Sequence, residues 1–299
     1  NYINCQKKIG NYAFYKCVKL GEHLSLKTEQ QLIKDLECTI GDHAFEGCSA
    51  LKTFDLVPTR DSIDDYYQKL TSIGAYAFYN SGISGYLYLP SSLQTIGDCA
   101  FQGTAISGKL DFNKGIRSIG NSAFQSCSSI ESLTFKIINR NDDLTIGDRA
   151  FYQTSIKGAV IFPNYVSLIG ESAFESLTQL VTAIFKDDTI NPIIRLSIQN
   201  SAFKSTGLTG VLDLPSRLRT YYSTYPYRYG AGIRSFADCT NIQEVIIRGG
   251  QFDAYVFENC VSITRLFLLG GTTGAYDFKG CTGNITIYFF GSATVGDFT

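Results

Sequence analysis

The hexapeptide Ile-Gly-x-x-Ala-Phe recurs along this chain, and repetition at a near-fixed period limits the available folds more than any composition does. It runs from Ile9 to Phe14, Ile40 to Phe45, Ile73 to Phe78, Ile96 to Phe101, Ile119 to Phe124, Ile146 to Phe151 and Ile169 to Phe174, with a worn copy from Ile198 to Phe203. Looser copies end at Phe236, Phe257 and Phe278, and Val295-Gly296-Asp297 reads as the start of a twelfth. Successive motif phenylalanines lie 31, 33, 23, 23, 27, 23, 29, 33, 21 and 21 residues apart, so the basic coil is 21 to 23 residues and the longer intervals carry insertions. A unit this short cannot enclose a core and must bury its apolar face against the next copy. The pattern predicts a single solenoid over 1–299, about eleven coils plus the start of a twelfth.

Nine and eleven residues past the motif Phe stand two apolar residues, as in Leu110/Phe112, Leu133/Phe135, Val160/Phe162 and Leu266/Leu268. Alternation at period two predicts a short strand with one buried face, stopped in three coils by Pro90, Pro163 and Pro215. The hexapeptide reads as a turn entering a short helix. Its Gly, kept in nine of eleven copies, is expected to supply positive φ. Asn11, Asp42, Asp98, Asn121, Asp148 and Asn200 follow, where an N-cap would stand. The expected class is therefore α/β, a curved parallel sheet lining the concave side with short helical turns on the convex side.

The string Ile-Gly-x-x-Ala-Phe-x-x-Cys-x-x-Leu resembles the BspA-type (Treponema pallidum-type) leucine-rich repeat, and the resemblance covers essentially the whole chain. The last three copies depart from it, with Ala231 and Thr273 in place of Ile and Val256 and Asp277 in place of Ala. The resemblance implies a cell-surface or secreted protein that adheres to host or matrix proteins, with no catalytic role and no cofactor.

Composition narrows the choice of partners. A formal net charge of −1 gives no electrostatic reason to expect nucleic acid, and no run of about eighteen apolar residues calls for a bilayer. No nucleophile elbow, phosphate loop or paired-acid motif occurs. His23 and His43 are the two histidines, and His43 sits at a variable motif position, where a tolerated surface residue is expected. The Asp pairs 64–65, 142–143 and 187–188 fall on separate coils and read as solvated loops. Cys17, Cys48, Cys127, Cys239, Cys260 and Cys281 all stand three residues past a motif Phe, where other copies carry Ser81, Thr104, Thr154, Leu177 or Thr206. A position shared by Cys, Thr, Ser and Leu is a small buried slot for reduced thiols, so no metal ligation is expected. Cys5, Cys38 and Cys99 lie off this register, and a Cys5–Cys38 staple is one arrangement open to the chain. Asn284 begins a glycosylation sequon yet falls where other coils place an inward apolar residue, which leaves both readings open.

Two features depart from the repeat and carry the functional expectation. The insertion Tyr221-Tyr222-Ser223-Thr224-Tyr225-Pro226-Tyr227-Arg228-Tyr229 offers five tyrosines in nine residues, the composition of a binding loop or of a loop folded over the flank. The outward strand position, ten past each Phe, reads Asp55, Tyr88, Asp111 and Thr134 early but Ile246, Phe267 and Tyr288 late, with Leu269 and Phe290 two residues further on. An exposed apolar stripe on a sheet is a candidate protein-binding surface. The expected partner is an extracellular protein or glycoprotein, with self-association through open solenoid ends as the rival and a carbohydrate-binding module behind both. Thr28-x-x-Gln31 reads as a capping box opening a short helix over Thr28 to Asp35.

Overall fold

The structure is a computed structural model and describes residues 2–4, 8–27, 37–55, 69–136, 142–187, 194–218, 230–290 and 293–295. The chain forms two compact units, residues 1–136 with 153–155, and residues 137–152 with 156–299. The expected Thr28 to Asp35 helix, Cys5, Asp64, Asp65, Asp188 and the tyrosine insertion lie outside the described residues.

The first unit holds, in chain order, β1 (Tyr2–Asn4), β2 (Lys8–Ile9), β3 (His23–Lys27), β4 (Glu37–Ile40), β5 (Thr53–Asp55), β6 (Lys69–Ile73), β7 (Ser84–Gly85), β8 (Thr95–Ile96), β9 (Ala105–Phe112), β10 (Ser118–Ile119) and β11 (Ser129–Phe135). The second holds β12 (Leu144–Ile146), β13 (Gly158–Phe162), β14 (Val166–Ile169), β15 (Leu180–Phe185), β16 (Ser197–Ile198), β17 (Thr209–Leu214), β18 (Asn241–Ile247), β19 (Arg265–Leu268) and β20 (Thr286–Phe289). Each coil thus contributes up to two strands. One ends on the motif Ile and forms the parallel ladder β2-β4-β6-β8-β10 in the first unit and β12-β14-β16 in the second. The other carries the alternating pair in β9, β11, β13, β15 and β17 to β20, and forms the parallel ladders β1-β3-β5 and β7-β9-β11, then β13-β15 and β17-β18-β19-β20.

The described residues contain no helix, which corrects the expected α/β class and its helical turns. The reason lies in two residues of every turn. The fourth motif position has φ of 54° to 64° in all eleven coils, and the residue two past the Phe has φ of 49° to 75°. Two left-handed residues four apart break a right-handed helix at both ends. What remains is a run of four-residue turns, and in the first and last of each coil the third residue has positive φ, as type II turns require. In the second coil Ala44, Glu46 and Cys48 donate to carbonyls three residues back, while His43, Phe45 and Gly47 donate to Ala75, Ala77 and Tyr79 of the next coil at 2.7 to 2.9 Å. Alternate amides are satisfied locally and alternate amides by the neighbour, so the turn leaves none stranded.

The motif Gly and its follower are also reassigned. Gly41, Gly74, Gly97 and Gly120 do not adopt positive φ; a Cβ on Gly74 would stand 2.5 Å from Asp42 Oδ1 and 2.6 Å from its amide nitrogen. The Gly is there for close approach of stacked backbones. The Asn or Asp that follows caps no helix. Asp42 Oδ1 accepts from Ala75 N at 2.8 Å, Asp98 Oδ1 from Asn121 N at 2.7 Å and Asp148 Oδ1 from Glu171 N at 2.8 Å, so each side chain holds the following coil.

The core of each unit is a column of motif phenylalanines. Phe14, Phe45, Phe78, Phe101 and Phe124 stack in the first with centroids 5.1 to 5.3 Å apart. Phe151, Phe174, Phe203, Phe236, Phe257 and Phe278 stack in the second at 5.2 to 5.8 Å. The cysteine slot is as small and buried as expected for Cys48, Cys127, Cys239 and Cys260, but it also makes a bond. Their thiols donate to the carbonyl of the preceding coil's motif Phe at 3.0 to 3.2 Å. Burial pushes the Cys127 and Cys239 thiols up to about 11, so they stay protonated donors at neutral pH. Cys38 is disulfide-bonded, whereas the other seven described cysteines are free.

Candidate functional site: the outward face of the second unit

The side chains of the strands β17 to β20 are set by local alternation. Leu212/Leu214, Val245/Ile247 and Leu266/Leu268 turn inward and are buried, which directs the residues between them to the other face. Those strands reach one register despite unequal leads. Leu208 turns inward five residues past its Phe and Ile242 six past its own, and a bulge between β17 and β18 restores the pairing Asp213↔Ile246. Gly210, at φ 73°, is the residue that allows the shift.

The outward row is Asp213, Ile246, Phe267 and Tyr288, paired in that order across four strands. Phe267 and Tyr288 lie parallel with centroids 4.6 Å apart and planes 8° apart. The next row is carried on by Leu269 N donating to Ile247 O and Phe290 N to Leu268 O, both 2.8 Å. Tyr288 is 40%, Leu269 38% and Phe290 50% exposed, while Ile246 and Phe267 are half-buried by their neighbours. All five expected stripe residues therefore come together on one face. Two ion pairs border them. Arg248 donates to both Asp213 oxygens at 2.7 and 2.9 Å, and Arg265 Nε lies 2.8 Å from Glu244 Oε2. Hydrogen bonding to Asp213 raises the Arg248 guanidinium further, so the pair stays charged. The face thus has an apolar centre with a charged border.

The structure decides two points about this end. Phe289 stands eleven past Phe278, the inward position of the alternating pair, yet it is 57% exposed, because β20 is the last strand of its described ladder and no described strand covers its far side. Asn284 is exposed, so the sequon does not occupy a buried position. Of the proposed tyrosines, Tyr221, Tyr222, Tyr225, Tyr227 and Tyr229 lie outside the described residues.

Alternation could not reveal what the turns carry. At the fourth motif position, read as merely variable, His43 is sandwiched between Tyr12 and Tyr76 with centroids 4.5 and 4.9 Å away, and its Nδ1 bonds Glu46. In the second unit Arg234 lies 5.0 Å from the Tyr255 ring, which stacks on Tyr276 at 5.3 Å. The signal was present as Tyr, His and Arg at one motif position, but it has meaning only once coils are stacked. The Asp187 loop is likewise braced rather than merely solvated, since its carboxylate accepts from Ser216 N and Oγ. Among the described residues, no group of three or more His, Cys, Asp or Glu side chains is placed to hold a metal ion.

Parallel ladders of short strands joined by hydrogen-bonded turns, with an Ile-Ala-Phe core, define a leucine-rich-repeat protein. The chain belongs to the BspA type Leucine rich repeat region family, which matches in six copies over residues 7–67, 65–181 and 144–284. Solved structures that are similar include a leucine rich cell surface protein from Faecalibacterium prausnitzii, at 18% identity and a TM-score of 0.45, covering 97% of this chain and 87% of that one. A leucine-rich repeat protein from Bacteroides ovatus matches at 17% identity and TM-score 0.42, covering 95% and 88%. The pneumococcal vaccine antigen PcpA matches at 17% identity and TM-score 0.39, covering 93% and 76%. No curated protein matches the chain.

Proposed function

We propose that this chain is a non-enzymatic binding domain, a segment of a secreted or cell-surface adhesin that engages an extracellular protein through the outward face of β17 to β20. The observation that carries the reading is the row Ile246-Phe267-Tyr288, flanked by Leu269 and Phe290 and bordered by Arg248–Asp213 and Arg265–Glu244. Aromatic side chains at the centre of such a surface contribute most of the binding energy, and the charged rim contributes orientation. Family membership supports the surface location and the binding role.

The test is capture by immobilised extracellular-matrix proteins. The Phe267→Ser/Tyr288→Ser variant should bind at least roughly tenfold more weakly than the unaltered chain, with an unchanged circular dichroism spectrum. Undiminished binding removes this face as the docking surface. Sedimentation at rising protein concentration separates the rival: growth in mass that disappears in the same variant would assign the face to contact between copies.

A further inference from the structure

We infer that the outward face of the first unit is a second, separate binding site, one that takes a neutral, hydroxyl-rich saccharide chain. The two outward faces have opposite chemistry. Where the second unit presents Ile246, Phe267 and Tyr288, the first presents Tyr88, Asp111 and Thr134 at the equivalent coil position, with Tyr86 and Lys109 in the adjacent row. Tyr86 and Tyr88 are 42% and 43% exposed, with ring centroids 4.2 Å apart and planes tilted by 56°, so they form a paired aromatic shelf at the surface.

Beside that shelf Asp111 is held by three donors: Lys109 Nζ at 2.8 Å, the Tyr86 hydroxyl at 3.0 Å, and the hydroxyl of Thr134, its register partner on β11. Burial alone would push its carboxyl up; the bonds from Lys109, Thr134 and Tyr86 outweigh that and hold it below the usual range, so it is ionised at neutral pH. The arrangement is preorganised but not exhausted. A carboxylate has about four acceptor positions and an ammonium three donors, which leaves Asp111 an acceptor, Lys109 donors, and the Thr134 oxygen lone pairs. Side chains that both donate and accept within one strand spacing of about 4.8 Å match successive sugar hydroxyls, which do the same. Aromatic rings match the C–H face of a pyranose. Asp55, paired with His23 at 3.3 Å on the preceding strands, adds a second carboxylate, so sulfated or sialylated chains meet repulsion. The rows carry no aliphatic residue, in contrast to Ile246 and Leu269 of the second unit.

The probes are cellohexaose, maltohexaose and mannohexaose, with heparin hexasaccharide and sialyllactose as anionic comparators, titrated into the full chain and read by amide NMR. At least one neutral hexasaccharide should shift resonances of residues 86–88, 109–111 and 132–134. Tyr88→Ser should weaken that binding roughly fivefold or more, and Tyr86→Phe, which keeps the ring but loses the bond to Asp111, should weaken it less. Phe267→Ser should leave it unchanged. The inference is overturned by absence of neutral-saccharide binding, by tighter binding of the anionic comparators, or by binding that ignores Tyr88→Ser. The Phe267→Ser comparison keeps failure here distinct from failure of the protein-docking face.

Discussion

At the scale of single residues, the slots inside each coil are strict about hydrogen bonding as well as size. The Ala position of the motif carries Ser235 in one coil and Asp277 in another, both buried. The Ser235 hydroxyl has no hydrogen-bond partner. Ser235→Ala restores the residue that most coils carry there and should raise stability by about 1 kcal/mol, read as a higher midpoint in urea. Asp277 is better served, its oxygens accepting from Val256 N at 3.1 Å and Gly274 N at 2.6 Å. Burial nonetheless pushes its carboxyl up to about 7 from 3.8, more than those two bonds pull it down. A folded-state value above the unfolded one means that the folded chain binds the extra proton between those limits. Its stabilising contribution is therefore full below about pH 4 and is lost as pH rises through 7. Unfolding at pH 5 and pH 8 should show a larger loss of stability with rising pH in the unaltered chain than in Asp277→Ala. Equal pH dependence would show that the carboxyl is not perturbed. The substitution of Ala by Asp was visible in the sequence, but its burial between two amides was not.

At the scale of elements, close approach of coils accounts for the glycine. Because a Cβ at residue 74 would overlap Asp42 backbone and side chain, Gly74→Ala should force two coils apart and cost roughly 2–4 kcal/mol, measured by thermal or urea unfolding. A glycine needed for positive φ would show the same loss, yet the φ values assign that conformation to Tyr76 two residues later. Strands were the readable elements. Alternation identified the inward pairs Leu110/Phe112, Leu133/Phe135 and Val160/Phe162, all buried. Leu87 and Leu89, nine and eleven past Phe78, are also buried although they lie outside a strand. The turn was misread because Phe and the slot three residues on share a helix-like spacing, which a run of four-residue turns imitates. The second ladder of strands went unread, since members such as β8 and β10 are two residues long and carry too little pattern. A buried cation shows how elements are tied beyond nearest neighbours: Arg217 donates to Pro163, Val166 and Lys186 carbonyls at 2.7 to 3.1 Å. Burial lowers its guanidinium to about 10, still charged at neutral pH.

At the scale of the whole molecule, stability in a stack is nearly the sum of coil interfaces, so a coil with a described neighbour on only one side has fewer of them. In the first unit Ala13 is exposed, whereas its counterparts Ala44 and Ala77 are fully buried. In the second, β20 keeps Phe289 exposed, whereas Phe162 on β13 is buried. Hydrogen exchange should therefore be faster for the amides of β20 than for those of β14 and β15, and equal protection would argue against one-dimensional stacking. The sequence by itself determined the repeat, the strand faces and the apolar row, because each depends on alternation within a few residues. Only the tertiary structure decided what the glycines, the Asn and Asp side chains, the thiols and the turn aromatics do. Each of those groups finds its partner one coil away, across a backbone contact that no local pattern encodes.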